Sequence, residues 1–208
     1  MYPSSETAAM TAPIGALLEA PVAPAISANI VRDAEELMQT FAVRSAVYMA
    51  EQDCPYEEEF DGNDYTSTHI LGRVDGKPAG CLRLRWFAGF AKAERMTVMR
   101  SYRGSGVAVR ILDEGFELCR RKGYSKVHVH AQRRLVPHWQ KAGFQPVNNQ
   151  IFHFSDHEYV SMVIELATCK QVLDQDSDPM LLLRPEGDFD RPGILERSAE
   201  RLPTNPTG

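Results

Sequence analysis

The sequence lacks the features that mark several classes of protein. Its four cysteines lie far apart, and none belongs to a Cys-x-x-Cys pair or to a Cys/His spacing typical of metal sites. This spacing indicates reduced thiols rather than a disulfide framework. No apolar run approaches the roughly 18 residues that a membrane-spanning helix requires. We therefore expect no metal site, no disulfide-stapled domain and no transmembrane helix.

Positive charge is also scarce. The 208 residues include 23 lysines and arginines against 28 aspartates and glutamates, a formal net charge of -5, which disfavours nonspecific binding to nucleic acid or to anionic lipid. The N-terminus lacks the basic segment of a signal peptide. Hydrophobic residues make up 43% of the chain, as in a globular protein. These features predict a soluble cytoplasmic protein with no nucleic-acid or membrane partner.

Composition divides the chain into three segments. Residues 1–27 are rich in alanine, proline, serine and threonine, which predicts a flexible leader. Residues 28–168 carry alternating and helical hydrophobic patterns and predict one folded domain. Residues 169–208 are rich in aspartate and proline and leave three alternatives open: a dimer arm, a lid or a disordered tail. Within them, Met180-Leu-Leu-Leu183 predicts partial docking, and residues 190–202 predict a last helix.

Strand and helix patterns alternate within the domain in the order β-α-β-β-β-α-β-α-β-β. Asp33 and Glu36 form a capping box that opens the first helix, and Asp75-Gly76 predicts a tight hairpin. The predicted strands are residues 29–32, 69–74, 78–87, 90–98, 125–131, 144–154 and 159–167. The order predicts an α/β (α+β) fold in which a mixed sheet carries helices on both faces.

A glycine-rich turn joins the fourth strand to the long helix that begins at Val107. In Arg103-Gly-Ser-Gly106, glycine permits positive φ, so that successive N–H groups can point into one concavity. The helix N-terminus adds the positive end of its dipole, and Arg103 adds a full charge. The turn suits a phosphate or pyrophosphate group, although an ordinary strand-to-helix turn has a similar composition.

Two common phosphate motifs do not fit this turn. A nucleoside-triphosphate loop requires Lys-Ser or Lys-Thr where Val107-Ala108 stands, and a dinucleotide fingerprint requires a third glycine near Arg110. What remains is the pattern Arg-x-x-Gly-x-Ala at Arg103, Gly106 and Ala108. In its position between strand and helix, this pattern resembles the acetyl-CoA pyrophosphate loop of the GNAT acyltransferase superfamily.

Further motifs extend the resemblance over residues 28–167, toward ElaA-like members. They are Arg44-Ser-Ala-Val47, Glu51-Gln52, Cys54-Pro-Tyr56, Glu59, Asp61-Gly62, Asp64, His69, Glu94-Arg-Met-Thr-Val98, Tyr102-Arg-Gly104, Ala131-Gln132, Leu135, Gln140, Gly143-Phe144 and Pro146-Val147. The resemblance implies a mostly antiparallel sheet of about six or seven strands, with splayed fourth and fifth strands, and acyl-CoA-dependent transfer to an amine. The loop after Gln52 departs from the family by replacing a clear second helix.

The resemblance also implies how acetyl-CoA, or another acyl-CoA, would bind between the splayed strands. The pantetheine arm would hydrogen-bond to the backbone of Met96, Thr97 and Val98, and the N–H of Val98 would polarise the thioester carbonyl and stabilise the oxyanion. The pyrophosphate would lie on Arg103, Gly104, Ser105, Gly106, Val107 and Ala108.

Transfer to an amine requires a base. Glu94 is the first candidate because GNAT proteins often place the base on this strand; the alternative is a solvated or Arg95-paired carboxylate. His130 is the second, because an unperturbed imidazole titrates near pH 6.5; the alternative is a hydrogen-bonded structural histidine. His128 lies on the same predicted face of its strand.

One family feature is missing. Many GNAT proteins place a tyrosine four residues before the glycine of Gly-Phe, where it protonates the CoA thiolate, but here Trp139 stands at that position. An indole N–H is not a usable acid at neutral pH. Pro137 replaces an asparagine that often contacts pantetheine, and His138 should point elsewhere on its helix. Either the thiolate leaves unassisted, or the donor is not standard acetyl-CoA.

Charged residues near the predicted cleft are candidates for acceptor binding. Asp61 and Asp64 belong to an acidic loop that would attract a cationic amine, or that forms a solvated turn. Arg83 and Arg85 share one face of their strand and could bind an acceptor carboxylate; otherwise they are surface charges or structural pairs.

Three functions remain open from the sequence. The first is an N-acetyltransferase acting on an amine of a small molecule or protein. The second is a long-chain N-acyl amino acid synthase with an acyl-carrier donor, because the region from Arg44 to Asp64 also resembles acyl-homoserine-lactone synthases. The third is a catalytically idle CoA-binding module, favoured by Trp139 and Pro137.

Overall fold

A computed structural model describes residues 23–154, 156–167, 169 and 171–202; most of the predicted leader lies outside the described residues. The strands are β1 (Ile26–Ile30), β2 (Thr68–Val74), β3 (Lys77–Phe87), β4 (Phe90–Val98), β5 (Lys126–Gln132), β6 (Gln145–Phe154) and β7 (His157–Glu165). The α-helices are α1 (Ala34–Arg44), α2 (Tyr56–Glu59), α3 (Val107–Arg121), α4 (Val136–Lys141), α5 (Pro179–Leu182) and α6 (Ile194–Arg197). A π-helical turn, Ser45–Met49, continues α1.

The seven strands form one sheet in the order β1-β2-β3-β4-β5-β7-β6. All neighbours pair antiparallel except β4 and β5, which are parallel. These two strands pair only where Ala91 lies opposite Val127 and Lys92 opposite His128. The predicted mixed, mostly antiparallel sheet and the splay of its fourth and fifth strands are both confirmed.

Helices cover both faces of the sheet, as predicted. On one face α3 packs Ile111 into a core that includes Leu82. It approaches closely because its Gly115 has no side chain; an added Cβ would lie 2.9 Å from Leu82 Cδ2. On the other face Val43 of α1 packs against Leu71 and Cys81. The central strands are thus buried on two sides, and their alternate residues serve two different cores.

The first strand, the acidic loop and the last helix differ from the sequence prediction. Strand β1 begins inside the predicted leader, because Ile26 pairs with Val74 at the far end of β2. The acidic loop contains α2, where no clear helix was predicted; Pro55 at its N-cap and three glutamates in its first turn favour a helix start. The predicted last helix is limited to α6 and a following 3-10 turn.

The capping box at the start of α1 is confirmed in part. Asp33 Oδ1 accepts a hydrogen bond of 2.8 Å from the Glu36 N–H, as predicted. Glu36 Oε2, however, accepts from the N–H of Arg32 at 3.1 Å, one residue before the N-cap. The entry of α1 is therefore fixed to the end of β1.

The C-terminal segment packs back onto the domain near the end of α3. The Leu173 N–H donates to the Arg121 carbonyl at 2.8 Å, and the buried ring of Phe189 lies 5.6 Å from the Arg121 guanidinium. Part of the segment therefore contacts the domain, although Met180, Leu182 and Leu183, the residues that suggested docking, are about half exposed. Phe189 docks instead, since one aromatic ring buries more apolar area and adds a cation–π contact.

A buried guanidinium fastens the acidic loop to α1. Arg44, the last residue of α1, is fully buried. Its Nε pairs with the Glu59 carboxylate, its Nη1 lies 2.6 Å from Asp64 Oδ1, and its Nη2 donates to the Glu59 carbonyl at 2.8 Å. One side chain therefore holds two separate points of the loop between α1 and β2.

Ion pairing outweighs desolvation in part of this cluster. Burial opposes the charged form of Asp64, but hydrogen bonds from Arg44 and Arg83 lower its pKa below the ordinary value. Burial dominates for Glu59 and raises its pKa, although Arg44 opposes the shift. Buried acids of this kind depend on their arginine partners to remain ionised.

Replacing Arg44 by alanine should lower the free energy of unfolding by about 3–5 kcal/mol, because buried Glu59 and Asp64 would each lose one of their two arginine partners. Urea denaturation measures the effect. Arg110→Ala removes an exposed pair with Glu114 and, as the control, should cost less than about 1 kcal/mol. Equal effects of Arg44→Ala and Arg110→Ala would contradict this role of Arg44.

The stability that Asp64 contributes should depend on pH. Because the folded pKa of Asp64 is depressed, this contribution should be present above about pH 4 and lost as the pH falls further.

Candidate active site

Strand β4 contains a bulge in the stretch that follows its last residue paired with β5, Lys92. Glu94 lies opposite Arg83 of β3, but Thr97 lies opposite Cys81, so β4 has one residue more than β3 in this interval. Arg95, inside the bulge, has a φ of 51°, which is uncommon for a residue with a side chain. A bulge bends its strand, and this one lies in the part of β4 that has no β5 partner.

Side chains on both sides hold the bulge in place. Arg95 Nη2 donates to the Glu58 carbonyl at 2.6 Å, and its Nε lies 2.9 Å from Glu59 Oε2. The Tyr48 hydroxyl donates to the Met96 carbonyl at 3.1 Å. The acidic loop and the π-helical turn after α1 therefore fix the backbone of β4 in the stretch that does not pair with β5.

The end of β4 presents backbone groups to the gap. The Met99 N–H donates to the Ala79 carbonyl at 2.9 Å, on the β3 side. Backbone groups alternate sides along a strand, so the N–H and carbonyl of Val98 point away from β3. The Val98 carbonyl accepts from Arg103 Nε at 3.1 Å. The edge at Met96–Val98 can thus pair with an extended ligand.

The turn Arg103–Gly106 lies directly after this edge. Gly104 and Gly106 have φ values of 83° and 95°, which glycine adopts without steric penalty, and Gly106 is the N-cap of the 15-residue helix α3. Arg103 is about half exposed, and its Nη2 lies 2.5 Å from Glu51 Oε2. The structure therefore brings the predicted phosphate turn, a helix N-terminus and the free end of β4 together.

A cavity of about 690 Å³ opens beside the gap. Of the predicted site residues, it is lined by Asp61, Arg85, Glu94, Met96 and His130. Residues that the sequence analysis did not propose also line it: Tyr48, Gln132, Arg134, Phe152 and Tyr159. The alternation of Gln132 with His130 on β5, and of Phe152 with Phe154 on β6, is the sequence signal that would have placed them there.

Arg83 does not line this cavity, and its predicted role in binding an acceptor carboxylate is wrong. Its side chain is 1% exposed, and its Nη2 lies 2.7 Å from both Asp61 Oδ2 and Glu94 Oε2. Its Nη1 lies 3.0 Å from Asp64 Oδ1. The guanidinium is saturated by carboxylates of the chain itself, as in the structural-pair alternative. Arg85 keeps 27% of its side chain exposed and lines the cavity.

Asp61 and Asp64 do not form an open acidic surface. Asp64 pairs with Arg44 and Arg83, and Asp61 pairs with Arg83 and, at 3.2 Å, with Arg95. Burial opposes ionisation of both, but hydrogen bonds from the arginines lower both pKa values. Because their charge is already neutralised, the prediction that they attract a cationic amine is not supported.

Glu94 is held among three cations. Its carboxylate lies 2.7 Å from Lys92 Nζ and from Arg83 Nη2, and 3.8 Å from Arg85 Nη1. Burial alone would raise its pKa, but Lys92 and Arg83 outweigh burial and lower it. A carboxylate stabilised in this way has little tendency to accept a proton.

His130 is an exposed imidazole in the same cavity. Its ring meets Phe152 edge-on, with centroids 4.9 Å apart. Burial of the ring is the largest cause that lowers its pKa below 6.5, Lys92 adds to the shift, and Glu94 opposes it. The neutral form of His130 is therefore the major one at pH 7. His128, by contrast, packs against Phe90 at 4.8 Å and does not line the cavity.

Trp139 lines the cavity from α4 with its ring largely buried. The indole packs at 83° against Phe144, with centroids 5.1 Å apart. His138 is exposed and does not line the cavity, which confirms that it points elsewhere. The position thus supplies an apolar wall rather than an acid.

In the part of the chain that the structure describes, no group of three or more His, Cys, Asp or Glu side chains could hold a metal ion. Among the same residues, no helix is both long and apolar enough to cross a membrane. The four cysteines are free thiols.

Comparison with known proteins identifies the family. The family model for an acetyltransferase (GNAT) domain matches residues 33–166. The uncharacterized N-acetyltransferase YjcF of Bacillus subtilis is 33% identical over 127 residues, which are 61% of this chain and 91% of YjcF. Protein ElaA of Escherichia coli is 27% identical over 63% of this chain and 88% of its own.

Solved structures show the same fold. The crystal structure of Escherichia coli ElaA superposes with a TM-score of 0.60 and 24% identity, covering 68% of this chain and 100% of ElaA. An acyl-CoA N-acyltransferase from Pseudomonas aeruginosa gives a TM-score of 0.60 and 23% identity, covering 67% of this chain and 99% of the Pseudomonas chain. The chain is therefore an ElaA-like member of the GNAT acetyltransferase family.

Proposed function

We propose that the protein transfers an acetyl group from acetyl-CoA to an amine nitrogen of an acceptor bound in the 690 Å³ cavity. The observation that carries the proposal is the stretch Met96–Val98 of β4, which does not pair with β5 and lies next to the turn Arg103–Gly106 at the start of α3. Family membership supports acetyl transfer; the donor and the acceptor are the proposed part.

The edge and the turn fit a CoA thioester. A pantetheine arm carries amides that can pair with a strand edge as an added strand does. The first N–H groups of α3 and the Arg103 guanidinium match a diphosphate. Arg103 would exchange its Glu51 partner for phosphate, and this exchange costs little because the pair lies at the surface.

A backbone amide and two side chains have separate roles in the proposed transfer. When bound, acetyl-CoA supplies an activated acyl group whose C–S bond is exchanged for a C–N bond. The N–H of Val98 donates to the carbonyl oxygen where negative charge develops. Neutral His130 accepts the proton of the acceptor ammonium, directly or through water. Glu94 keeps Lys92 in place and is a weaker base because of its lowered pKa.

A longer acyl donor is a second candidate. The observation that favours it is the apolar wall formed by Phe152, Phe154 and Trp139, which exceeds what an acetyl group needs. Parallel assays with acetyl-CoA and octanoyl-CoA separate the two donors, because only the donor that fits releases thiol in the presence of an amine.

The dimer arm left open by the sequence and the cytoplasmic location expected from it stay predictions.

Arg103→Gln should weaken the binding of CoA by about tenfold, because it removes a charge-assisted hydrogen bond to phosphate. Pantetheine has no phosphate, so its dissociation constant should stay unchanged. Isothermal calorimetry with both ligands measures the contrast. Arg100→Gln, in the neighbouring 3-10 turn, is the control and should leave both constants within twofold. Equal losses for CoA and pantetheine would place the pyrophosphate elsewhere.

The pH profile tests His130 as base. The base must be neutral, so kcat/KM should rise through a pKa below 6.5 and then level off. His130→Gln should remove this acid limb and lower kcat/KM by about a hundredfold. His128→Gln, outside the cavity on the same strand, should leave the profile unchanged. An acid limb that persists unchanged in His130→Gln would contradict the assignment. An acid limb that lies below pH 4.5 would identify Glu94 as the base.

A further inference from the structure

We infer that the acyl acceptor is an α-amino acid with an aromatic or other large apolar side chain. The inference rests on the proposed function, because it assigns the acceptor of the same cavity. It is drawn from wall residues that neither the CoA edge nor the proposed base uses. They supply an unpaired cation, unpaired carboxylates, an unpartnered amide and a row of aromatic rings.

The cation is Arg134, in the 3-10 turn that follows β5. Four lysines and arginines line the cavity, and three of them pair with carboxylates: Arg85 and Lys92 with Glu94, and Arg95 with Glu59 and Asp61. Arg134 is exposed and has no ion pair with any residue that the structure describes. A guanidinium at the wall of a cavity presents a planar fork that fits a carboxylate.

The unpaired carboxylates belong to Glu57 and Glu58 of α2. Both line the cavity, and neither forms an ion pair within the described chain. They lie on the β4 side, since the Glu58 carbonyl accepts from Arg95 in the bulge, whereas Arg134 lies on the β5 side. Opposite charges on the two sides of the splay complement a zwitterion, with its ammonium toward α2 and its carboxylate toward Arg134.

Gln132, the last residue of β5, has a polar atom without a partner. Its Nε2 lies 3.5 Å from the Tyr159 hydroxyl, and its Oε1 is buried with no hydrogen bond to any residue that the structure describes. Whichever way the amide is turned, one polar atom remains unsatisfied, and such an atom is costly unless a ligand pairs with it. The amine and the carboxylate of an amino acid offer a donor and an acceptor.

The aromatic row runs from the proposed base toward the mouth of the cavity. His130 meets Phe152 at 4.9 Å, Phe152 stacks on Tyr159 at 5.8 Å and 23°, and Phe154 meets Tyr159 at 5.9 Å. Phe154 is 53% exposed. A side chain with an aromatic ring would cover this row with offset or edge-on contacts. A lysine side chain of a protein acceptor would use neither the row nor Arg134.

An acceptor panel with saturating acetyl-CoA tests the inference. Phenylalanine carries all three groups, phenethylamine lacks the carboxylate, and alanine lacks the ring. Thiol release and the mass of the product report transfer. We expect kcat/KM for phenylalanine to exceed each of the others by about tenfold or more, because each lacks one recognised group.

Two substitutions test whether Arg134 and Phe154 cause the preference for phenylalanine. Arg134→Gln should lower kcat/KM for phenylalanine about tenfold and leave phenethylamine within twofold. Arg133→Gln is the matched control: this neighbour pairs with Glu158 and does not line the cavity, so both amines should react as before. Phe154→Ala should reduce the preference for phenylalanine over alanine. The inference is overturned if Arg134→Gln affects both amines equally, or if phenethylamine or a lysine peptide is preferred.

The outcomes separate this inference from the proposed function. Acetylation of a lysine peptide but not of phenylalanine would leave the proposed function standing and remove the amino acid. If no amine is acetylated, the proposed function fails, and calorimetry with N-acetylphenylalanine decides the inference. Binding that weakens about tenfold in Arg134→Gln would support it, and no binding to the native protein would end it.

Discussion

The site depends on the pairing of two buried guanidinium groups, Arg44 and Arg83, with carboxylates from the acidic loop and from β4. Burying either arginine alone would cost several kcal/mol. Here Arg44 binds Glu59 and Asp64, and Arg83 binds Asp61, Asp64 and Glu94. Because Asp64 contacts both arginines, the two centres form one network. That network ties α1, the acidic loop, β3 and β4 together next to the bulge, so the gap between β4 and β5 is held open by the folded chain itself.

The same network decides which groups can react. Arg83 and Lys92 both contact the Glu94 carboxylate. They stabilise its ionised form and occupy its lone pairs, so Glu94 is poorly suited to accept a proton. His130 sits at the edge of the network, where burial and the nearby Lys92 keep it neutral without consuming it in an ion pair. The strongest electrostatic interactions are therefore structural, and the proposed chemistry falls to a weakly coupled imidazole and to a backbone amide. A backbone donor needs only the correct strand geometry, which is what the bulge at Arg95 provides.

Local patterns in the sequence were sufficient for β4, α3 and the Asp75-Gly76 hairpin, because a period of two or of 3.6 and a turn dipeptide are short-range properties. The splay followed only from the resemblance to a family, since no local rule says where two parallel strands separate. The roles of Arg83 and Arg85 could not be told apart, because both stand on the same face of β3. What distinguishes them is the acidic loop, which covers Arg83 and leaves Arg85 at the cavity. Alternation with His130 could have placed Gln132 at the cavity, but the lack of a partner for Gln132 and Arg134 within the described chain is a property of the fold.

Trp139 raises the question of how a thiolate leaves without a tyrosine to protonate it. A thiol has a pKa near 8.5, so its anion is a far weaker base than an alkoxide and needs less assistance. On the proposed function, His130 becomes an imidazolium as it takes the proton of the amine, and it then lies in the cavity as a cation and a proton donor. One residue thus serves the attacking nitrogen first and the departing sulfur second. The indole packed on Phe144 makes that wall of the cavity apolar, and a lower local dielectric strengthens the attraction between imidazolium and thiolate.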